Sequence, residues 1–467
     1  MAGCEEEVTT LRKPLVCFAV LCMLANTAGA HADEFRAFWA DAWHSGYESP
    51  EATQKMVDYA KSCNTNAIFV EIRKMSDSYY TSSLEPTGVD VTPEPGYDSL
   101  ADIIEKAHAA GLEVHAWVVA FRVWGERSGP PHTTPEHIWH THPDWLMCND
   151  KGFMFQRSTT SLDPGHPDVE NYLIKVFSDI ISRYDIDGFT LDYIRYPNNK
   201  WGYNKVALKR FKDEYGRTRN PAPDDPQWEA WRRNQLSNFV KRLYLEAKAI
   251  KPQVKMGAAA WRSAESARTD VLQDWDKWMA NNWLDYAAPM NYTRRNESFH
   301  KNNADSLTRQ YGHHVYISPG IYMNTTSNSM RQIKDVQDLG FPGVCPYCYA
   351  ETGRSSDPKG LKKALLKGPF AKPAAVPDMP WLTAPTKGYL KGFVRDVIDE
   401  PIYPATITLV GRDLSAKDTG TGFYGFSELE PGEYKIRAEA PGYLPAEGTI
   451  TITAGKVADL NLTMHMQ

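Results

Sequence analysis

In YDIDGFTLDYIRYP, residues 184–197, an apolar run gives way to a carboxylate within a few residues. Phe189, Thr190 and Leu191 read as a buried strand that ends at Asp192, with Arg195 and Tyr196 in the loop beyond. Side chains alternate along a strand, so Phe189 and Leu191 share one face, and Thr190 and Asp192 the other. NAIFVEIRK repeats the pattern. Val70 and Ile72 fall on one face, Phe69, Glu71 and Arg73 on the other, and Asp77 follows in the loop. Cleavage of a sugar acetal needs two such carboxyl groups. One protonates the leaving oxygen; the other attacks or activates water, at about 5 Å separation for retention or roughly 6.5–9.5 Å for inversion. Asp192 is the first candidate and Glu71 its leading partner, ahead of Asp77 and Asp41. The competing reading is structural: Asp192 closed into an ion pair with Arg195 or Arg73.

Opposed carboxyls need a frame, and the chain supplies a repeating one between about residues 35 and 370. FRAFWADAW, NAIFVEIR, LEVHAWVVAF, IDGFTLDYI, VKMGAAAW, LDYAAPMNY, VYISPGIYM and FPGVCPYCY are each followed by a loop and an amphipathic segment. In the first unit Ser49 can cap a helix that Pro50 opens. Alternation of strand and helix calls for a parallel sheet. Eight units suit a closed (β/α)8 TIM barrel, whose chemistry sits at the C-terminal strand ends. An open doubly wound sheet lacks the Gly-rich turn it needs after the first strand. In the barrel, Ala37, Trp39 and Asp41 share the inward face of strand one, and His115 and Trp117 that of strand three. Asn291 and Tyr292 end strand six, and Tyr347 ends strand eight. A mouth of Asp, Glu, Arg, Trp and Tyr suits a carbohydrate.

Composition agrees with this. The chain has 467 residues with 52 Lys and Arg against 58 Asp and Glu, a formal net charge of −6, which argues against general nucleic-acid affinity. It carries 14 Trp and 24 Tyr, large aromatic faces able to stack on sugars as well as fill cores. Arg12 and Lys13 precede PLVCFAVLCMLA and then NTAGAHA, which reads as an export signal over residues 1–32 and a secreted or periplasmic location. No later segment is expected to insert stably in a membrane. Outside the signal only Cys63, Cys148, Cys345 and Cys348 remain, too few for a disulfide scaffold.

Two weaker patterns compete with this. His132, His137, His140 and His142 crowd one loop, and the expectation is solvated histidines rather than a metal site. CPYC at residues 345–348 matches a redox motif, but it falls within strand eight, where positions three apart should face opposite sides. No metal and no cofactor are expected.

DGFTLDYIRYP, together with GLEVHAWVVAFRVW, HPDWL, SLDPGHPDV and NAIFVEIRKMSDSYYTSSLEP, resembles the glycosyl-hydrolase-like family ten proteins, bacterial exported barrels, over roughly residues 35–350. The resemblance implies glycosidase activity centred on Asp192, with peptidoglycan glycan strands among the family's substrates. It also points to Arg73, Asp77 and Tyr80 after strand two and to Trp117 and Arg122 around strand three. Where many members carry a second acid after the strand-four Asp, Tyr193 stands here; Val119 stands for an Asn and Glu71 for a Gln. Beyond KPAAVPDMPWLTAPTKG, which reads as a stiff Pro-rich linker over 371–387, residues 388–467 resemble carboxypeptidase regulatory-like domains, small all-β sandwiches of transthyretin-like fold. The expected protein is an exported glycoside hydrolase acting on a polysaccharide or oligosaccharide. The alternative is a non-catalytic carbohydrate-binding barrel, for which the missing acid at position 193 argues.

Overall fold

The structure is a computed structural model that describes residues 33–90, 93–350 and 358–467; the export signal expected at residues 1–32 lies outside them. Eight apolar runs form the staves of a closed parallel barrel, the architecture expected from the sequence. They are β1 (Phe35–Ala40), β2 (Ala67–Arg73), β3 (Glu113–Val119), β4 (Gly188–Asp192), β5 (Lys255–Ala260), β6 (Tyr286–Asn291), β7 (His314–Pro319) and β8 (Gly343–Val344). Each pairs with its successor, and β8 closes on β1.

Parity along the strands divides the core in two. Phe35, Ala37, Trp39, Phe69, Trp117, Tyr286 and Tyr316 fill the inside. Phe38, Val70, Ile72, Phe189 and Leu191 pack outward against the helices. The inner rings touch closely: Phe35 stacks on Tyr316 at 4.2 Å and Trp39 on Phe69 at 4.1 Å. Such rings need strand positions without side chains beside them. A Cβ at Gly188 would lie 2.1 Å from His115 Nδ1, and one at Gly257 would lie 2.1 Å from the Tyr286 ring.

The helices start where the sequence gives them caps. Ser49 accepts from the Ala52 amide at α1 (Pro50–Ser62), and Asp225 from Gln227 and Trp228 at the long helix Pro226–Ile250. After β5 the expected single helix is two short ones, Ala264–Asp270 and Trp275–Ala280; Leu272 between them has φ +56°. The helix after β6 runs Asn296–Leu307, with Phe299 and Asn303 buried one turn apart.

Strand eight is shorter than expected. Its ladder stops at Val344, and Tyr347 returns only as single bridges to Trp39 and Gly320. The period-two count therefore does not reach CPYC, and Cys345 and Cys348 both lie in the inner cluster instead of on opposite faces. Their sulfurs meet different partners: Cys345 Sγ is 3.0 Å from Ser318 Oγ, and Cys348 Sγ donates to Asp41 Oδ2 at 3.2 Å.

The Pro-rich segment is packed, unlike a free linker. The Glu34 amide donates to the Ala375 carbonyl, and Arg36 and Asn66 donate to the carbonyls of Lys372 and Ala374. Met379 and Leu382 are buried in the inner cluster, and Trp381 donates to Asp285 Oδ1 at 2.9 Å. The segment thus covers the end of the barrel opposite the C-terminal strand ends.

The C-terminal part is the expected small sandwich. One sheet holds β9 (Gly388–Arg395), β12 (Phe423–Leu429), β15 (Val457–Asp459) and β16 (Leu462–Thr463). The other holds β10 (Thr406–Leu409), β11 (Ser415–Lys417), β13 (Gly432–Glu439) and β14 (Ala446–Ile452). Tyr434, Ile436 and Ala438 alternate into its core. It docks on helix Pro226–Ile250. Arg242 of that helix binds Glu170 at 2.7 Å and Thr421 at 3.1 Å. Lys391 pairs with Glu246 at 3.1 Å. No helix among the described residues is long and apolar enough to cross a membrane.

Filling the space over His115 should show how tightly the inner layer is set. Gly188→Ala is expected to lower unfolding free energy by about 1–3 kcal/mol or more, read by urea denaturation, because a rigid ring, not a flexible chain end, blocks the new methyl.

Candidate active site at the barrel mouth

A cavity of about 350 Å³ opens at the C-terminal ends of the strands. Its floor is the upper layer of inner rings, with Trp39 and Trp117 edge to face at 5.1 Å. Asp192 and Glu71 both line it, as do Trp39, Trp117, Arg122, Tyr193, Arg195, Tyr292 and Tyr347. Strand parity or position at a strand end aimed most of these at the mouth; Arg122 came from the family resemblance, and Tyr193 is the residue that stands after Asp192.

Asp192 is held by three donors. Its Oδ1 accepts from the Tyr193 amide at 2.6 Å and from Arg195 Nη1 at 3.3 Å; its Oδ2 accepts from the Trp117 indole at 3.2 Å. Tyr193 takes φ +47°, which turns the chain sharply after the strand and brings its amide back to the carboxylate. The ion pair with Arg195 exists, yet the cavity remains open above it.

Glu71 has a different setting. Its Oε2 accepts from the Ala42 amide at 2.8 Å, and its own carbonyl accepts from Tyr47 Oη at 2.6 Å. Its Oε1 has no hydrogen bond among the described residues. Burial pushes the Glu71 carboxyl well above the usual carboxylate range; the negative charges of Asp41 and Asp192 add to this, while the Ala42 amide and Lys74 oppose it. Of the two carboxyls, Glu71 is thus the one whose surroundings favour the protonated form.

Six expected residues do not line this cavity. Asp41 stands behind Glu71, where its Oδ1 accepts from the Trp43 amide and meets His44 Nδ1 at 2.7 Å. Arg73 departs because the β2–β3 register shifts between Glu71 and Arg73. It is fully buried, pairs with Glu85 at 2.6 Å, donates to the Val119 and Ala120 carbonyls and lies over the Phe177 ring. Asp77 pins a tight turn: its Oδ1 accepts from the Met75 amide, its Oδ2 has no partner among the described residues, and burial raises its pKa. Tyr80 is buried edge-on to Tyr184. His115 lies deeper in the barrel between Tyr286 Oη and Glu113. Asn291 donates outward to the Phe299 carbonyl and Asn303. Parity explains this last one: Tyr286, Ala288 and Met290 point in, so Asn291 points out.

Sequence reading missed Trp43, Lys74, Trp261, Arg262 and Tyr322, all from loops beyond the strands, and Met290. They complete a rim in which cations lie over rings. Arg122 sits over Trp43 and Tyr193, Arg195 over Tyr193 and Trp261, and Lys74 over Trp43 at 3.9 Å. A neighbouring cavity of about 360 Å³ shares Arg122, Tyr193, Arg195 and Trp261 with the mouth, so the opening extends into a groove.

The histidine loop is not uniformly solvated. His137 is buried, donates through Nε2 to the Met75 carbonyl and accepts from the Trp139 amide. His132, Glu136 and His140 bring three potential ligand atoms within 4.8 Å of one another. The two imidazoles, however, stack face to face at 4.2 Å, and His140 Nε2 already meets the Pro130 carbonyl at 2.9 Å. None of the three lines the mouth.

Residues 34–337 match the family described as glycosyl hydrolase-like 10. The chain belongs to this family. Residues 389–465 match the carboxypeptidase regulatory-like domain. Among curated relatives, the glycosyl hydrolase YngK of Bacillus subtilis is 27% identical, covering 85% of this chain and 84% of its own. The glycosyl hydrolase DigH of Escherichia coli is 26% identical over 50% of this chain and 56% of its own. Among solved structures, the glycoside hydrolase domain of PgaB from Bordetella bronchiseptica shares the fold, with a TM-score of 0.55 at 15% identity, covering 71% of this chain and 99% of that one. Several strings that carry the likeness to the glycosyl hydrolase-like 10 family prove to be scaffold. In SLDPGHPDV, Asp163 accepts from the Gly165 and Asn204 amides, burial raising its pKa to about 6, and His166 caps helix Pro167–Arg183. In HPDWL, His142 stacks on Trp145 at 3.8 Å.

Two outcomes follow from these settings. A carboxyl whose pKa is raised in the folded state stabilises it fully below the ordinary carboxylate range, and that contribution is lost as pH climbs through the raised value. Glu71→Gln is thus expected to raise the melting temperature at pH 8 relative to the parent and to leave it little changed at pH 4, measured by differential scanning fluorimetry. Arg73→Met strands the buried Glu85 carboxylate and is expected to cost about 3–5 kcal/mol of stability in urea unfolding, a loss that a rim residue would not produce.

Proposed function

We propose that the chain hydrolyses O-glycosidic bonds of a polysaccharide at the barrel mouth. The observation that carries this reading is the pairing, in one aromatic-walled cavity, of a buried carboxyl whose surroundings favour its protonated form with a carboxyl held by three donors. In it Glu71 gives its proton to the leaving oxygen from Oε1, the oxygen that its amide contact leaves unused. Asp192 attacks the anomeric carbon or takes the proton of an attacking water. The indole of Trp117 and the amide of Tyr193 fix its rotamer, and Arg195 steadies the charge that returns to it when the bond breaks. Trp39, Trp117, Tyr292 and Tyr347 offer ring faces for the apolar sides of pyranoses.

Peptidoglycan glycan strands are the first substrate to test. Alternate sugars of such strands carry a lactyl carboxylate once the peptide is removed, and Arg122, Arg195 and Arg262 at the rim supply cations for it. The groove that continues past Tyr193 suits a polymer better than a single sugar. Export by the N-terminal signal would bring the enzyme to this substrate. A non-catalytic glycan-binding barrel is the second reading, favoured by the Asp192–Arg195 ion pair.

Purified peptide-free glycan strands and a panel of other polysaccharides, assayed for new reducing ends, separate the two. Asp192→Asn is expected to lower release at least about a hundredfold, with the circular dichroism spectrum unchanged. Retention of glycan on an affinity gel with no release from any substrate would establish the binding-only reading instead.

A further inference from the structure

Where the sandwich docks on the barrel, the two leave a cleft of about 530 Å³. Pockets of roughly 300–1,000 Å³ at domain interfaces commonly take small ligands. Helix Pro226–Ile250 gives it Asn234, Asn238 and Lys241; the loop before β6 gives Trp283; the sandwich gives Tyr403 and Asp418. Two of these groups keep unused hydrogen-bonding capacity among the described residues. Lys241, 7% exposed, has no hydrogen bond or salt bridge among the described residues; its ammonium lies 5.9 Å from the centroid of the Trp283 ring and feels the charges of Glu170, Lys277 and Asp418 at longer range. Asp418, 2% exposed, spends Oδ1 on the Ala405 amide, while Oδ2 has no partner among the described residues. The two influence each other's charge, yet they form no salt bridge with one another among the described residues.

A buried carboxyl oxygen left unsatisfied is costly, and a largely buried lysine without a hydrogen bond in the same cleft adds to that cost, unless something reaches both. A metal ion would find the carboxyl but be repelled by the lysine. A hydroxyl both donates and accepts, and vicinal hydroxyls can serve the two groups together, with the amides of Asn234 and Asn238 offering further contacts of both kinds. The geometry points to a second carbohydrate site, distinct from the mouth, in which Lys241 and Asp418 hold the hydroxyls of a sugar unit at the barrel–sandwich junction. Burial lowers Lys241 to about 8 and raises Asp418 to about 8, which brings both toward neutral partners for hydroxyls. The sandwich then has a binding duty: it completes a glycan site that neither domain makes alone.

The test uses the full chain carrying Asp192→Asn, titrated by calorimetry with chitotetraose, cellotetraose and peptide-free peptidoglycan strands. At least one of these glycans is expected to give a binding event that Lys241→Met abolishes and Asn238→Ala weakens about tenfold. Loss of a buried unpaired ammonium should leave the melting temperature of Lys241→Met unchanged or higher, so misfolding would not account for the lost binding. A mouth that binds as well gives a second event untouched by either substitution. If the mouth reading fails, the Lys241-dependent event remains alone. A panel in which no glycan produces a Lys241-dependent event, or a Lys241→Met protein that binds as its parent does, overturns the assignment.

Discussion

The indole hydrogen bond from Trp117 to Asp192 ties the packed inside of the barrel to its open end. Below it the inner rings stack closely on one another, and above it the strands stop and the cavity begins. Trp117 is fixed by Trp39, and Trp39 by Phe69 and by its own indole bond to Ser318 Oγ at 2.9 Å. The position of the strand-four carboxylate is therefore set by the stacking of a whole aromatic layer. Rigid support of this kind is what a reacting group needs, since small displacements cost large factors in rate.

The same layer separates the electrostatics of the two carboxyls. Glu71 points into a wall that it shares with Asp41, one directed amide and the ammonium of Lys74, which is itself engaged with Asp90 and the Ala42 carbonyl. Asp192 points where three donors converge. Two acids of similar chemistry are thus given unlike surroundings, the arrangement by which a single fold separates acid from base. The rim cations are braced by rings, and of them Arg195 also reaches Asp192.

Period two carried the sequence reading as far as the regular ladder extends. It placed Thr190, Asp192, Glu71, Trp39 and Trp117 on the inner side, and the eight strand–helix units gave the barrel. It lost track where the ladder breaks. The shift after Glu71 sends Arg73 to Glu85, and the end of pairing at Val344 puts both cysteines of CPYC inside. Asn291 was within its reach, since counting from Tyr286 turns it outward. Trp43, Trp261, Arg262 and Tyr322 come from loops, where no period predicts direction and only the finished fold brings them together. The packing of the Pro-rich segment was hidden for another reason. Proline content reports stiffness, and the signal for burial lay in the few apolar residues between the prolines, Met379, Trp381 and Leu382.

That buried segment sets how far the module can be divided. The recognisable family match ends at residue 337, before the strand that closes the ring, and the sandwich match resumes at 389. The intervening fifty-odd residues contain the last stave and the plug of the base, with anchors on Glu34, Arg36, Asn66 and Asp285. A cassette excised at the boundaries that sequence similarity draws would have an unpaired edge and an uncovered underside. A cut that leaves this barrel whole falls after Leu382, well past the end of the family match.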